Sequence, residues 1–104
     1  MVTNIRHFLD EKGKVPGLPP EAEELVKFLA GIIESATMGY DRPATMADVK
    51  CRKCIEGKAC NGEVEVWVYA DTNEIGWECL DCAEEGIITH WEGTQWDRRN
   101  YTRH

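Results

Sequence analysis

The sequence predicts an α+β protein in which N-terminal helices pack on a small three-stranded antiparallel sheet that a metal ion stabilises. Three observations support this fold class. Apolar residues recur at helical spacing in the first half, apolar and polar residues alternate in the second half, and four of the five cysteines form two C-x2-C pairs. A chain of 104 residues buries only a limited core, so a bound metal would add stability that the core lacks.

Two segments of the N-terminal half have helical patterns. Residues 3–11 place three apolar side chains on one face, and a glycine follows as a stop signal. Residues 20–38 predict a longer helix, in which Pro20 suits the first turn and nearby glutamates complement the helix dipole. Gly39 is suited to the C-terminal cap, and residues 40–48 are predicted to be a linker. The predicted apolar face of the longer helix consists of Leu25, Leu29, Ile32, Ile33 and Ala36.

Three strands are predicted in the C-terminal half. Residues 63–69 alternate with period two and are rich in β-branched and aromatic side chains, residues 75–79 return after a polar turn, and residues 86–91 supply a third strand. Val64, Val66 and Val68 are then expected to face the longer helix, with the intervening side chains on the opposite face.

The cysteines indicate a metal site. Cys51 and Cys54 form one C-x2-C pair, Cys79 and Cys82 form the other, and 24 residues lie between the pairs. Two residues between thiols allow one tight turn to direct both sulfurs at the same ion, and a hairpin can bring the pairs together around a tetrahedral Zn²⁺. The odd cysteine count and the absence of a signal-peptide pattern favour metal over disulfides and a cytoplasmic location.

Residues 51–91 resemble the zinc-ribbon or rubredoxin-like family. The similarity is carried by the two cysteine pairs and by Trp77-Glu78-Cys79-Leu80-Asp81-Cys82, in which an aromatic residue precedes the thiols. The resemblance implies two cysteine turns, called knuckles, that cap a three-stranded antiparallel sheet. The family includes electron carriers that hold iron, regulators and structural modules. The glycine that follows each knuckle in rubredoxins is replaced here by Ile55 and Ala83, which disfavours iron.

The fifth cysteine leaves the ligand set open. In many zinc ribbons a ligand directly precedes a strand in a Cys-x-Gly-x-apolar pattern, and Cys60 is the first residue of such a pattern here. The favoured set is Cys51, Cys54, Cys79 and Cys82, and Cys60 is an alternative ligand that would replace one member of the first pair.

Charge argues against broad nucleic-acid binding. The net charge is −7, and residues 51–97 contain 11 acidic and 3 basic residues. A nucleic-acid-binding face normally carries the opposite charge. Three arginines lie in the segment 98–104, which forms a basic tail after the helical segment 1–48 and the predicted zinc-ribbon domain 49–97.

The tryptophan and tyrosine side chains of the C-terminal half can have either of two roles. They can fill a second small core, or Trp67, Tyr69, Trp91 and Trp96 can form an exposed patch that binds a partner protein. A four-cysteine zinc site has no free coordination position, and no catalytic motif or membrane-spanning apolar run is present. The sequence therefore predicts a non-catalytic adaptor or regulator that binds another protein or a second copy of itself. An iron electron carrier and a nucleic-acid-associated ribbon are the alternatives, and no small-molecule substrate is apparent.

Overall fold

The fold is defined by a computed structural model that describes residues 2–40, 44–52, 54–55 and 57–99, with the backbone alone described at residues 54, 55 and 59. One α-helix and seven strands occur in these ranges. In chain order the elements are β1 (Val2–Asn4), a 3-10 helix (Ile5–Phe8), α1 (Pro20–Met38), β2 (Thr45–Lys50), β3 (Cys54–Ile55), β4 (Lys58–Ala59), β5 (Glu63–Val68), β6 (Ile75–Cys79) and β7 (Glu85–Thr89).

Five of the strands form one mixed sheet in the order β1-β7-β6-β5-β2. β1 runs parallel to β7, and the other neighbours are antiparallel. The expected α+β class is therefore present, and the three predicted strands correspond to β5, β6 and β7 at the centre of the sheet. The prediction of a three-stranded, wholly antiparallel sheet is wrong, because one further strand is added at each edge.

Both additional strands lie in segments that the sequence predicts to be a helix or a linker. Residues 2–4 form β1, and the predicted helix over residues 3–11 shrinks to a single 3-10 turn that begins after Asn4. Val2 and Thr3 are β-branched, and the Asn4 side chain accepts a hydrogen bond from the Arg6 N–H, which caps the turn. Residues 45–50 form β2 instead of the end of a linker.

The prediction of a helix over residues 20–38 is confirmed. Pro20 occupies its first position, and the Gly39 N–H donates to the Ser35 carbonyl at its end. The apolar face of α1 covers β2, β5 and β6, so the core lies between the helix and one face of the sheet. Val64 and Val66 are fully buried there, as their alternation predicts. No helix in the described ranges combines the length and the hydropathy that crossing a membrane requires.

Two paired glycines make room for two tryptophans on opposite faces of the sheet. Trp77 pairs with Gly86 on the helix side, where its ring meets Phe28 edge-on at 5.2 Å between centroids. Trp67 pairs with Gly76 on the other side, and a Cβ at Gly76 would lie 2.5 Å from Trp67 Nε1. Each indole therefore lies across a neighbouring strand at a position where a side chain would collide with it.

The segment after β7 (residues 90–99), called here the closing segment, folds back on α1. Trp91 is fully buried, and its Nε1 donates to the Asn73 carbonyl at 2.8 Å. The Arg99 guanidinium lies 4.6 Å from the centre of the Trp91 ring and makes paired hydrogen bonds to the Asp97 carboxylate. This segment therefore closes one end of the core, and Trp96, which is 9% exposed, completes it.

Candidate metal centre

Four cysteines meet at one end of the sheet. The Sγ atoms of Cys51, Cys60, Cys79 and Cys82 all lie within 4.8 Å of one another. Two of the sulfur pairs, Cys51 with Cys82 and Cys60 with Cys79, are 3.6 Å apart. Zn–S bonds of about 2.3 Å at tetrahedral angles put sulfurs about 3.8 Å apart, so this cluster has the dimensions of a four-thiolate metal site.

The cluster joins the ends of four strands. Cys51 follows the end of β2, Cys60 lies three residues before β5, Cys79 ends β6, and Cys82 lies in the turn before β7. A metal held by all four sulfurs would fix both strand-to-strand connections at this end. Cys51 and Cys79 are buried, whereas Cys60 and Cys82 are half-buried, so one side of the cluster is close to the surface.

The turn after β6 has the features of a metal-binding knuckle. The backbone N–H groups of Asp81 and Cys82 donate to Cys79 Sγ at 3.4 and 3.5 Å. The Ala83 N–H closes the turn on the Cys79 carbonyl, and Ala83 has a φ of 62°. The chain thus adopts the left-handed conformation at the position where rubredoxins carry glycine, although alanine adopts it less readily.

The other half of the cluster, formed by Cys51 and Cys60, is built differently from the half formed by Cys79 and Cys82. Cys51 is hydrogen-bonded through its backbone to Asn61 and Gly62, which closes a loop that contains the short β3–β4 hairpin. Gly62 is buried against the second knuckle, since a Cβ on it would lie 2.7 Å from Cys79 Sγ. The absence of a side chain at Gly62 lets the two halves approach each other, a role that depends on tertiary contacts and that no local sequence pattern indicates.

The surroundings of the thiols shift the pKa values of Cys79 and Cys60 in opposite directions. Burial would raise the pKa of Cys79, but the N–H groups of Cys82 and Asp81 and the neighbouring thiols of Cys82 and Cys60 outweigh it and lower the pKa to about 7. Burial raises the pKa of Cys60, and the Cys79 and Cys82 thiols raise it further. Cys79 therefore ionises more readily than Cys60, and a bound cation would displace the protons of thiols that remain protonated.

The sequence left three ligand sets open, and the structure brings together the set in which Cys60 accompanies Cys51, Cys79 and Cys82. Cys54 lies in β3, where its backbone pairs with Ala59, and its side chain is outside the described residues. The eight residues between Cys51 and Cys60 are too many for a knuckle, and the β3–β4 hairpin accommodates them. Sequence spacing could not show that Cys60 joins the cluster, because Cys54 has the C-x2-C separation from Cys51 that is expected of a ligand pair.

The four aromatic candidates for partner binding fall into two groups. Trp91 and Trp96 are buried in the closing segment, which corresponds to the small-core alternative. Trp67 is half-buried and Tyr69 is 38% exposed, and both lie on the sheet face opposite α1, with ring centroids 6.2 Å apart. Only Trp67 and Tyr69 can therefore contact a partner without rearrangement of the core.

Two arginines of the basic tail are held by the protein. The Arg98 backbone N–H donates to Thr37 Oγ1 and its side chain pairs with Glu34, both on α1. Arg99 pairs with Asp97 and lies over the rings of Trp91 and Tyr40. Residues 100–104, with Arg103, lie outside the described residues. A nucleic-acid-binding tail would have to release these contacts of Arg98 and Arg99.

Comparison with known proteins gives no family for this chain. No model of a known protein family matches it, and searches of curated proteins and of solved structures found no match. The resemblance to zinc ribbons therefore rests on the cysteines and their geometry, which establish a cluster that could hold a metal ion.

Proposed function

We propose that this protein is a non-catalytic adaptor or regulator whose fold is stabilised by one Zn²⁺ and whose exposed sheet face binds another protein. The observation that carries the proposal is the placement of Trp67 on β5 and of Tyr69 directly after β5, on the sheet face opposite α1. The other end of β5 begins beside the cysteine cluster. The metal would then stabilise the sheet that presents the aromatic face.

The donor set supports zinc in a structural role. Cys51, Cys60, Cys79 and Cys82 would hold the ion, and four thiolates complete a tetrahedral zinc site without leaving a position for substrate or water. The ion would supply cross-links between strand ends in a chain with a small core, as structural zinc does in other small domains. This arrangement favours stability over catalysis.

The aromatic face supports binding to a protein. Large aromatic side chains are enriched at the energetically important positions of protein interfaces. Tyr69 is exposed, and Val2 and Met46 on the same face are 69% and 44% exposed. An aromatic and apolar surface of this kind on a small acidic protein is suited to a partner rather than to bulk solvent.

A photo-crosslinking residue at position 69 tests the binding role in cells. We expect a defined partner to be captured at this position and to be lost when Trp67 is replaced by Leu. The same crosslinker at position 38 is the control, because Met38 is 75% exposed on the last turn of α1. Identical captured proteins at both positions, unaffected by Trp67→Leu, would contradict the proposed interface.

An iron electron carrier is the second candidate, and one feature of the knuckle favours it. Ala83 adopts the left-handed conformation that glycine supplies in rubredoxins, and backbone N–H groups donate to Cys79 Sγ. Such hydrogen bonds tune the potential of iron–thiolate centres. Elemental analysis and an absorption spectrum of reduced, purified protein separate the candidates. One colourless zinc per chain supports the adaptor, whereas one iron with visible thiolate charge-transfer bands supports the carrier.

A further inference from the structure

We propose that the sheet face opposite α1, called here the open face, binds an arginine-rich segment of a partner protein. This inference rests on the proposed function and names the chemistry of the partner. The open face comprises two cross-strand rows of side chains and the neighbouring Tyr69. One row is apolar and the other is acidic, and each follows from the strand register.

The apolar row surrounds a cavity. Trp67, Gly76, Ile87 and Val2 are consecutive partners across β5, β6, β7 and β1. A cavity of about 140 Å³ beside this row is lined by Trp67, Ile87 and Val2 from the row and by Tyr69, Trp77, Glu85 and Gly86. Trp67 and Tyr69 meet edge-to-face at an interplanar angle of 84°, so two aromatic walls stand at nearly right angles beside this cavity.

The acidic row lies directly beside the apolar row. Glu65 pairs with Glu78, and Glu78 pairs with Glu85, so three carboxylates stand side by side on adjacent strands. Directly opposed like charges destabilise a sheet, and neighbouring strands are only about 5 Å apart. No ion pair within the described part of the chain neutralises any of the three. A cationic partner would remove this repulsion.

An acidic row beside an aromatic wall is better suited to the guanidinium group of arginine than to the ammonium group of lysine. A guanidinium group binds carboxylates through paired hydrogen bonds and also stacks on aromatic rings, whereas an ammonium group is more strongly hydrated. The protein itself uses this chemistry at Arg99, which pairs with Asp97 and lies over Trp91. On the open face, Glu85 lines the same cavity as Trp67 and Tyr69, so one arginine could contact both a carboxylate and an aromatic wall. Further arginines of the segment would pair with the other two carboxylates of the acidic row, Glu65 and Glu78.

The test uses a six-arginine peptide as the probe and the full-length, metal-loaded protein. NMR titration should shift the Trp67 indole N–H and the backbone amides of Gly76 and Ile87, and binding should weaken with salt. The triple variant Glu65→Gln, Glu78→Gln, Glu85→Gln should bind at least about tenfold more weakly, since three carboxylate contacts are lost. Its melting temperature should equal or exceed that of the wild type, because the cross-strand repulsion is also lost.

A second triple variant controls for net charge. Glu11→Gln, Glu21→Gln, Glu24→Gln changes the charge equally at three exposed positions outside the sheet and should bind the peptide like the wild type. Trp67→Leu keeps an apolar side chain over Gly76 but removes the aromatic wall, and it should weaken binding of the arginine peptide more than binding of a six-lysine peptide. Equal weakening by both triple variants, or shifts confined to other surfaces, would overturn the proposal.

The outcome also separates this inference from the proposed function. The arginine peptide could fail to bind while position 69 still crosslinks a partner and Trp67→Leu abolishes that crosslink. In that case the assignment of an arginine-rich segment fails and the adaptor function stands. If peptide binding and the crosslink are both absent, both proposals fail.

Discussion

The substitution Gly62→Ala tests whether the two halves of the cysteine cluster must approach as closely as the structure shows. A Cβ at this position would lie 2.7 Å from Cys79 Sγ and 2.9 Å from the Asp81 Cβ. Ordinary van der Waals contact begins at 3.4 Å, so the sulfur and the new methyl group must separate by a further 0.7 Å. Asp81 Cβ is fixed to the knuckle backbone, and rotation of the aspartate side chain cannot relieve that contact.

The required movement is large compared with the tolerance of a zinc site. Metal–ligand distances in credible sites stay within about 0.2 Å of their usual values, and perturbing the groups that position the ligands typically costs about 10–100-fold in affinity. We therefore expect Gly62→Ala to weaken Zn²⁺ binding by about 10–100-fold, or by about 1.4–2.7 kcal/mol.

Competition with a chromophoric chelator measures this affinity directly. Gly17→Ala is the matched control, because it makes the same chemical change at a position where a Cβ would meet no atom within 4 Å. The reasoning is refuted if Gly62→Ala and Gly17→Ala bind Zn²⁺ with affinities that agree within about twofold, a difference of only about 0.4 kcal/mol.

Three further predictions concern the ligands, the metal and the closing segment. Cys60→Ser should lose most of its Zn²⁺ affinity while Cys54→Ser retains one zinc per chain by elemental analysis; the reverse result would favour the C-x2-C set. Removing the metal with a chelator should lower the melting temperature with coincident loss of helical circular dichroism and tryptophan signals, because α1 packs on β5 and β6; two separate transitions would contradict a shared core. Burial raises the pKa of Asp97, but hydrogen bonds from Arg99 and Gly93 outweigh it and lower the pKa below its ordinary value. The contribution of Asp97 to the free energy of unfolding is therefore present above about pH 4 and is lost as the pH falls further. Asp97→Asn should thus lose about 1–3 kcal/mol of unfolding free energy at pH 7 and less in acid, as measured by urea denaturation, whereas the exposed Asp71→Asn should change it by less than about 0.5 kcal/mol at both pH values.

The sequence by itself determined the elements whose signals are local. The periodicity between Pro20 and Met38 specified α1 because a helix repeats every 3.6 residues, and alternation specified β5 because a strand repeats every two. The cysteine count and the knuckle at Cys79 and Cys82 likewise predicted a thiol cluster. Each of these signals lies within a short stretch of chain and depends little on the rest of the protein.

Only the tertiary structure decided the features that depend on distant residues. β1 exists because Val2 and Thr3 pair with Ile87 and Ile88, more than 80 residues away, and no local pattern encodes that partnership. The clustering of Cys60 with the other three cysteines depends on a hairpin that lengthens the loop after Cys51. The alignment of three glutamates into one row depends on strand register, which pairing across the sheet fixes. Spacing along a chain specifies which groups one turn can bring together, whereas packing decides which separate turns meet.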